Sequence, residues 1–171
     1  MANGFCPLLT RMHRITLLTV GRLREAWARA ACDAYAERLR GSMDLRVVEI
    51  PASKARTASQ QQTEESQRLI AQLRAAPGTI VVLDERGKGM SSENFAAFIG
   101  AARDRGEPLT FVLGGAYGLT DAVRKSGSII KLSDMTLPHE LCRVVFLEQL
   151  YRAHEIGKGS GYHHGTIVSK D

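Results

Sequence analysis

FVLGGAYGL, residues 111–119, decides how this chain is read. With Leu109 and Thr110 before it, the run predicts a strand over 109–113, apolar enough to be buried on both faces. It empties into Gly114 and Gly115, and a Tyr117-Gly118 pair extends the turn. Glycine serves where backbone must take positive φ or approach a ligand closely. In open parallel sheets, ligands bind beyond the carboxyl ends of strands. Spacing alone leaves a plain tight turn and a binding loop equally open.

Downstream, SDMTLPHELCRVVFLEQLYRAHEI fills 133–156 and GYHH fills 161–164. Pro138 stiffens the loop, His139 opens a helix over 140–156, and that helix is apolar on most of its circumference. Such a helix is covered on most sides, and a second subunit is the natural cover in a small domain. Glu148 and Arg152 interrupt the apolar surface at i, i+4 and can pair.

Upstream, strands are predicted over 15–20, 45–50 and 79–83, with a further one over 128–132. Helices are predicted over 23–40, 62–76 and from Ser91 or Ser92 to about residue 105. In the first helix, Trp27, Ala30, Ala31, Ala34, Tyr35 and Leu39 recur at helical spacing. DERGKGMSS (84–92) reads as a loop, and the polar stretch 53–67 reads as the most mobile region. Strands alternating with helices predict an α/β domain with a mainly parallel sheet and helices on both faces.

The 171 residues, 44% apolar, suit one domain with a sizeable core. Met12 precedes the first strand, so residues 1–11 are expected to be a disordered extension and 12–171 a single domain. No apolar run reaches the ~18 residues of a membrane span. Cys6, Cys32 and Cys142 show neither metal-ligand nor redox spacing, which favours a reducing cytoplasm. The net charge of +5 and pI near 9.4 weakly favour a polyanion such as RNA, while 6% aromatic content argues against a stacking platform. Neither GxGxxG nor GxxxxGK[ST] is present, which argues against nicotinamide enzymes and P-loop NTPases. His139 and Cys142 are too few to hold a metal, even with His163 and His164 nearby, so none is expected. Tyr162 and His163 offer stacking and proton transfer.

Taken together, VGRL after the first strand, IVVLDERGK, FVLGGAYGL, MTLPHELCRVVFLEQLYRAHEI and the closing YH resemble the bacterial ribosomal RNA large subunit methyltransferase H family of the SPOUT superfamily. The resemblance spans nearly all of 15–163. It implies a homodimer with a C-terminal trefoil knot, S-adenosylmethionine as methyl donor, and transfer to N3 of a pseudouridine in 23S rRNA on the assembled ribosome. Matching family positions imply donor contacts at Leu83, Gly114, Gly115, Leu132, Ser133, Asp134, Met135, Thr136 and Leu137. They also place His139, Glu148, Arg152, Tyr162 and His163 near the reacting base. Three departures stand out: GGAYG where some relatives carry Pro and an acidic residue, the tail HGTIVSKD beyond the Tyr-His pair, and residues 1–11.

His163 or Glu148 is the expected general base or water orienter, Arg152 a stabiliser of charge on the uracil oxygens, and Tyr162 a stacking or orienting group. In a dimer, the tail of one subunit is expected to complete the site of the other. Lys54, Arg56, Arg86, Lys88, Arg124 and Lys125 are candidate phosphate contacts. A SPOUT enzyme acting on tRNA and a non-catalytic ribosome-binding factor are the competing readings.

Overall fold

The computed structural model describes residues 12–164. The expectations for residues 1–11 and for the tail beyond His164 fall outside that range. Ten elements follow one another: β1 His13–Val20, α1 Ala26–Leu39, β2 Met43–Ile50, α2 Ala58–Leu73, β3 Thr79–Gly89, α3 Ser92–Asp104, β4 Leu109–Leu113, α4 Asp121–Arg124, β5 Ser128–Lys131 and α5 His139–Gly157. The strands form one sheet in the order β2-β1-β4-β3-β5, and every pairing is parallel.

Side chains alternate across the sheet, as the pleat requires. Ile15, Leu17, Val81, Leu83, Leu109, Phe111 and Leu113 face α1, α3 and α5. Leu18, Val20, Val82 and Val112 face α2 and α4. Both faces are thus covered, which is why these strands read as near-continuous apolar runs. On the first face, α5 lies against both α1 and α3. There the Phe111 and Phe146 rings stand 4.7 Å apart, with Phe95 edge-on to both. Ser91 caps α3 by accepting the Asn94 N–H. The hydroxyl of Ser92 instead donates to Gln149 on α5.

Three local expectations are corrected. The segment 84–89, read as a loop, continues β3: its register slips between Leu83 and Lys88, and both residues pair with Ile130. The bulge supplies ladder partners that polar side chains do not advertise. Helix α2 starts at Ala58 rather than 62, because Thr57 accepts the Gln60 N–H as its cap. The start of α2 and the loop before it are pinned by hydrogen bonds from Ser53 to Glu64 and Glu65 and from Gln61 to Ala55. Lastly, α1 buries Ala28, Cys32 and Leu39, while Trp27 is 53% exposed and Ala30 and Ala34 face outward. The apolar spacing was real, but it belongs partly to the outer face.

Candidate active site

The loops that follow β4 and β5 meet the bulged stretch of β3 at residues 83–86 and enclose a cleft of about 800 Å³. Sites for small molecules commonly measure roughly 300–1,000 Å³. Leu83, Leu113, Leu132 and Leu137 contribute apolar surface, and Cys142 lies beside His139 at the start of α5. The Cys142 thiol donates to the Leu137 carbonyl at 3.6 Å, and burial raises its pKa.

The glycine pair is required by close packing. A Cβ on Gly114 would stand 2.9 Å from Leu119 Cγ and 3.1 Å from the Gly118 carbonyl carbon. A Cβ on Gly115 would stand 3.1 Å from Val20 Cγ1 and nearer still to α2. Helix α2 holds the loop through its backbone. Gln62 Nε2 donates to the carbonyls of Tyr117 (2.8 Å) and Leu119 (3.2 Å), and Ser66 Oγ accepts the Thr120 N–H at 3.1 Å.

The charged wall is built by Asp84 and Arg124, 2.9 Å apart with side chains only 5% and 13% exposed. Burial opposes the Arg124 charge, but hydrogen bonds to Asp84 and Asp121 outweigh it and raise its pKa. Arg86 reaches Asp121 at 3.4 Å. Arg124 is therefore committed to the cleft wall rather than free for phosphate. Lys54, Arg56, Lys88 and Lys125 are exposed, with no salt bridge among the described residues.

Of the residues singled out for the donor, Leu83, Gly114, Gly115, Leu132, Ser133, Met135, Thr136 and Leu137 line this cleft, and so does His139. Asp134 does not: its side chain is 87% exposed and pairs with Lys131. Gln62, Asp84 and Arg124 are cleft residues that the sequence reading missed as such. A long polar side chain on a polar helix and a charged turn carry no pattern that separates them from solvated surface.

Glu148, Arg152, Tyr162 and His163 form a second group. Glu148 follows His139 along α5 by nine residues, about 13 Å at the helical rise. Arg152 donates twice to Glu148 Oε1, at 3.0 and 2.6 Å, and the Tyr162 hydroxyl donates to the same oxygen at 3.2 Å. The Arg152 guanidinium lies 5.0 Å from the Tyr162 ring centre, and Tyr162 stands edge-on to Tyr151 at 4.9 Å. Burial first, then the neighbouring Tyr35 and Glu148, push the Tyr162 phenol up to about 12, so it is a proton donor at neutral pH. Arg152 reaches His163 Nδ1 at 3.3 Å, and His163 Nε2 meets Glu93 at 2.8 Å. The tautomer that satisfies both contacts carries its proton on Nε2. The hydrogen bond from His163 holds the Glu93 carboxyl down at about 2. Within one chain, the residues assigned to the methyl donor and those assigned to the reacting base are thus two separate clusters. Only His139 links them along α5.

A family described as "Predicted SPOUT methyltransferase" matches residues 13–163. The chain is 43% identical over 153 residues to the ribosomal RNA large subunit methyltransferase H of Pelobacter propionicus, covering 88% of this chain and 99% of that one. It is 42% identical over 160 residues to the protein of the same name from Xanthobacter autotrophicus, covering 88% and 98%. A crystal structure of TrmJ from Z. mobilis superposes with a TM-score of 0.50 at 16% identity, over 84% of this chain and 70% of that one. That likeness speaks for the fold alone. A SPOUT-like parallel sheet, a glycine-loop cleft at its carboxyl edge and this extent of identity lead to one conclusion: the chain belongs to the SPOUT methyltransferases, in the family of ribosomal RNA large subunit methyltransferase H.

Proposed function

We propose that the protein is an S-adenosylmethionine-dependent methyltransferase that methylates N3 of a pseudouridine in 23S rRNA on the assembled ribosome, acting as a homodimer with a C-terminal trefoil knot. The observation that carries the reading is the cleft: eight of the nine donor positions expected from the family line one cavity. Its chemistry suits the donor. Apolar side chains can cover the faces of an adenine, and loop amides and carbonyls can read its edge. When bound, S-adenosylmethionine supplies a methyl group that is already electrophilic, so the residues need only align donor and acceptor and manage the N3 proton.

The Glu148 cluster fits the acceptor side. Arg152 can steady charge that develops on the uracil oxygens, and Tyr162 can orient the ring. His163 Nδ1 and the Glu148 carboxylate are the basic atoms available, each already engaged by Arg152. Release of one of them from Arg152, as the base enters, is the step that frees a proton acceptor. A dimer in which the tail of one subunit reaches the cleft of the other would unite the two clusters. The outward Trp27, Ala30 and Ala34 on α1 and the half-buried apolar residues of α5 supply surface for such a contact. No helix among the described residues is long and apolar enough to cross a membrane.

The test is methyl transfer from labelled S-adenosylmethionine to ribosomes from a strain lacking the gene, followed by mass analysis of the nucleosides. Label in N3-methylpseudouridine of 23S rRNA is expected. Label in tRNA, or donor binding without transfer, would overturn the assignment. Mixed dimers test the shared site: one subunit lacks residues 159–171, the other carries Gly114→Arg. Activity is expected only in proportion to the subunit pairing that leaves one intact composite site.

A further inference from the structure

Glu65 sits on a polar helix, yet it is 4% exposed. Its Oε1 accepts the Ser53 N–H at 2.9 Å, while its Oε2 is buried with no hydrogen-bond partner among the described residues. The position of that orphan oxygen is specific. A Cβ built on Gly115 would lie 2.6 Å from it. The carboxylate is therefore aimed at the backbone of the glycine loop. Its helix neighbours Gln62 and Ser66 grip the same loop at Tyr117, Leu119 and Thr120.

We infer that Glu65 is a positioning residue for the donor cleft: its free oxygen takes a backbone N–H of the glycine loop when that loop closes on bound donor. A buried acceptor left unpaired is costly, and a half-satisfied carboxylate more so. Closure relieves that cost only in the occupied state, so the relief appears as donor affinity. The other oxygen of the same carboxylate holds Ser53, in the loop between β2 and α2 that carries the exposed Lys54 and Arg56. Ser53 is fixed further by donating to Glu64 at 2.6 Å and by accepting the Ala55 N–H at 3.0 Å. One side chain thus ties the basic loop to the donor loop. This inference rests on the methyl-donor reading of the cleft.

The experiment is calorimetric titration of the purified full chain with S-adenosylmethionine, for wild type, Glu65→Gln, Glu65→Ala and the control Glu64→Gln. The amide of Glu65→Gln keeps the shape and can still bond Ser53, but it turns an NH2 toward the loop where an acceptor is needed. Expected is a Kd raised about tenfold or more by Glu65→Gln, with Glu64→Gln near wild type. In turnover, KM for the donor rises while kcat at saturating donor stays within about twofold. A general folding defect would instead lower kcat through loss of active protein and leave KM alone. Donor affinity unchanged in Glu65→Gln, or a fall in kcat with KM unchanged, overturns the inference. If Glu65→Ala does not fold, Glu65→Gln carries the test. If wild type itself binds no S-adenosylmethionine, the function proposed above fails instead. Amide hydrogen exchange over residues 113–120 then reads the grip directly: equal exchange in wild type and Glu65→Gln overturns it, and faster exchange in the variant supports it.

Discussion

Gly114→Ala adds one methyl group where the structure has no room. The new carbon would stand 2.9 Å from Leu119 Cγ, 3.0 Å from Leu119 Cδ2 and 3.1 Å from the Gly118 carbonyl carbon. Leu119 is itself buried, so it cannot simply swing into solvent. Inserting a methyl group into such a site costs about 1–3 kcal/mol. Leu119→Ala alone leaves a cavity and costs about 2–5 kcal/mol. In the double variant, the shortened side chain removes two of the three close contacts, and only the Gly118 backbone contact remains. The two changes should therefore not add: the double variant should be more stable than the sum of the singles by about 1–2 kcal/mol. Urea unfolding of the four proteins measures this cycle. Titration with S-adenosylmethionine should show Gly114→Ala weakening donor binding about tenfold or more, because the loop that moves is the one that lines the cleft. Additivity within about 0.5 kcal/mol, or wild-type donor affinity in Gly114→Ala, would refute the close-packed view of this loop.

Three further outcomes are expected. Glu140 accepts the N–H groups of Arg24 and Glu25, and the Arg24 bond foremost lowers its pKa from the ordinary value of 4.5. Its contribution is fully present above that value and fades as pH falls through the lower native one, so Glu140→Gln should destabilise by about 2 kcal/mol at pH 7 and flatten the acid limb of urea midpoint against pH. Cys142 lines the cleft with its pKa raised, so iodoacetamide should label it slowly at pH 7 and more slowly still with S-adenosylmethionine bound, as read by mass spectrometry. Lys54→Ala and Arg56→Ala should each reduce the salt slope of ribosomal RNA binding by about one, whereas Arg124→Ala should lower donor affinity and leave that slope in place.

The strands were legible because sheet burial writes itself as apolar runs. Phe111, Val112 and Leu113 could hardly be anything else, and the loops after such strands were the natural place to look for the cleft. What stayed hidden was polar. The bulged end of β3 runs through DERGKG, where backbone pairing, not side-chain burial, keeps the strand. Glu65 reads as one more solvated residue of a polar helix, and only its neighbours in space show that it is buried. On α1, Trp27 is apolar but faces outward, because spacing reports which residues share a face and says nothing of what covers it. The same limit applies to the site. His139, Glu148, Arg152, Tyr162 and His163 are named by the family motif, yet the motif carries no distance, and within one chain the structure divides them between two clusters.

The strand order has a further consequence for how the chain reaches this shape. β1 comes first in the chain, but its partner on one side is β4, which lies more than ninety residues downstream in the register Ile15 to Leu109. A protein whose central pairing is so distant in sequence pays loop-closure entropy before that contact forms, and tends to fold slowly. During synthesis, β1 and β2 emerge with the β4 edge of β1 open, and the face bearing Ile15 and Leu17 is covered only by α1 until α3 and finally α5 arrive. Pieces of this chain that stop short of Phe146 should therefore aggregate rather than persist as partial folds. The helix that carries Glu148 and Arg152 is also the last to seal the sheet, so those two side chains are set in place only at the moment the core is complete.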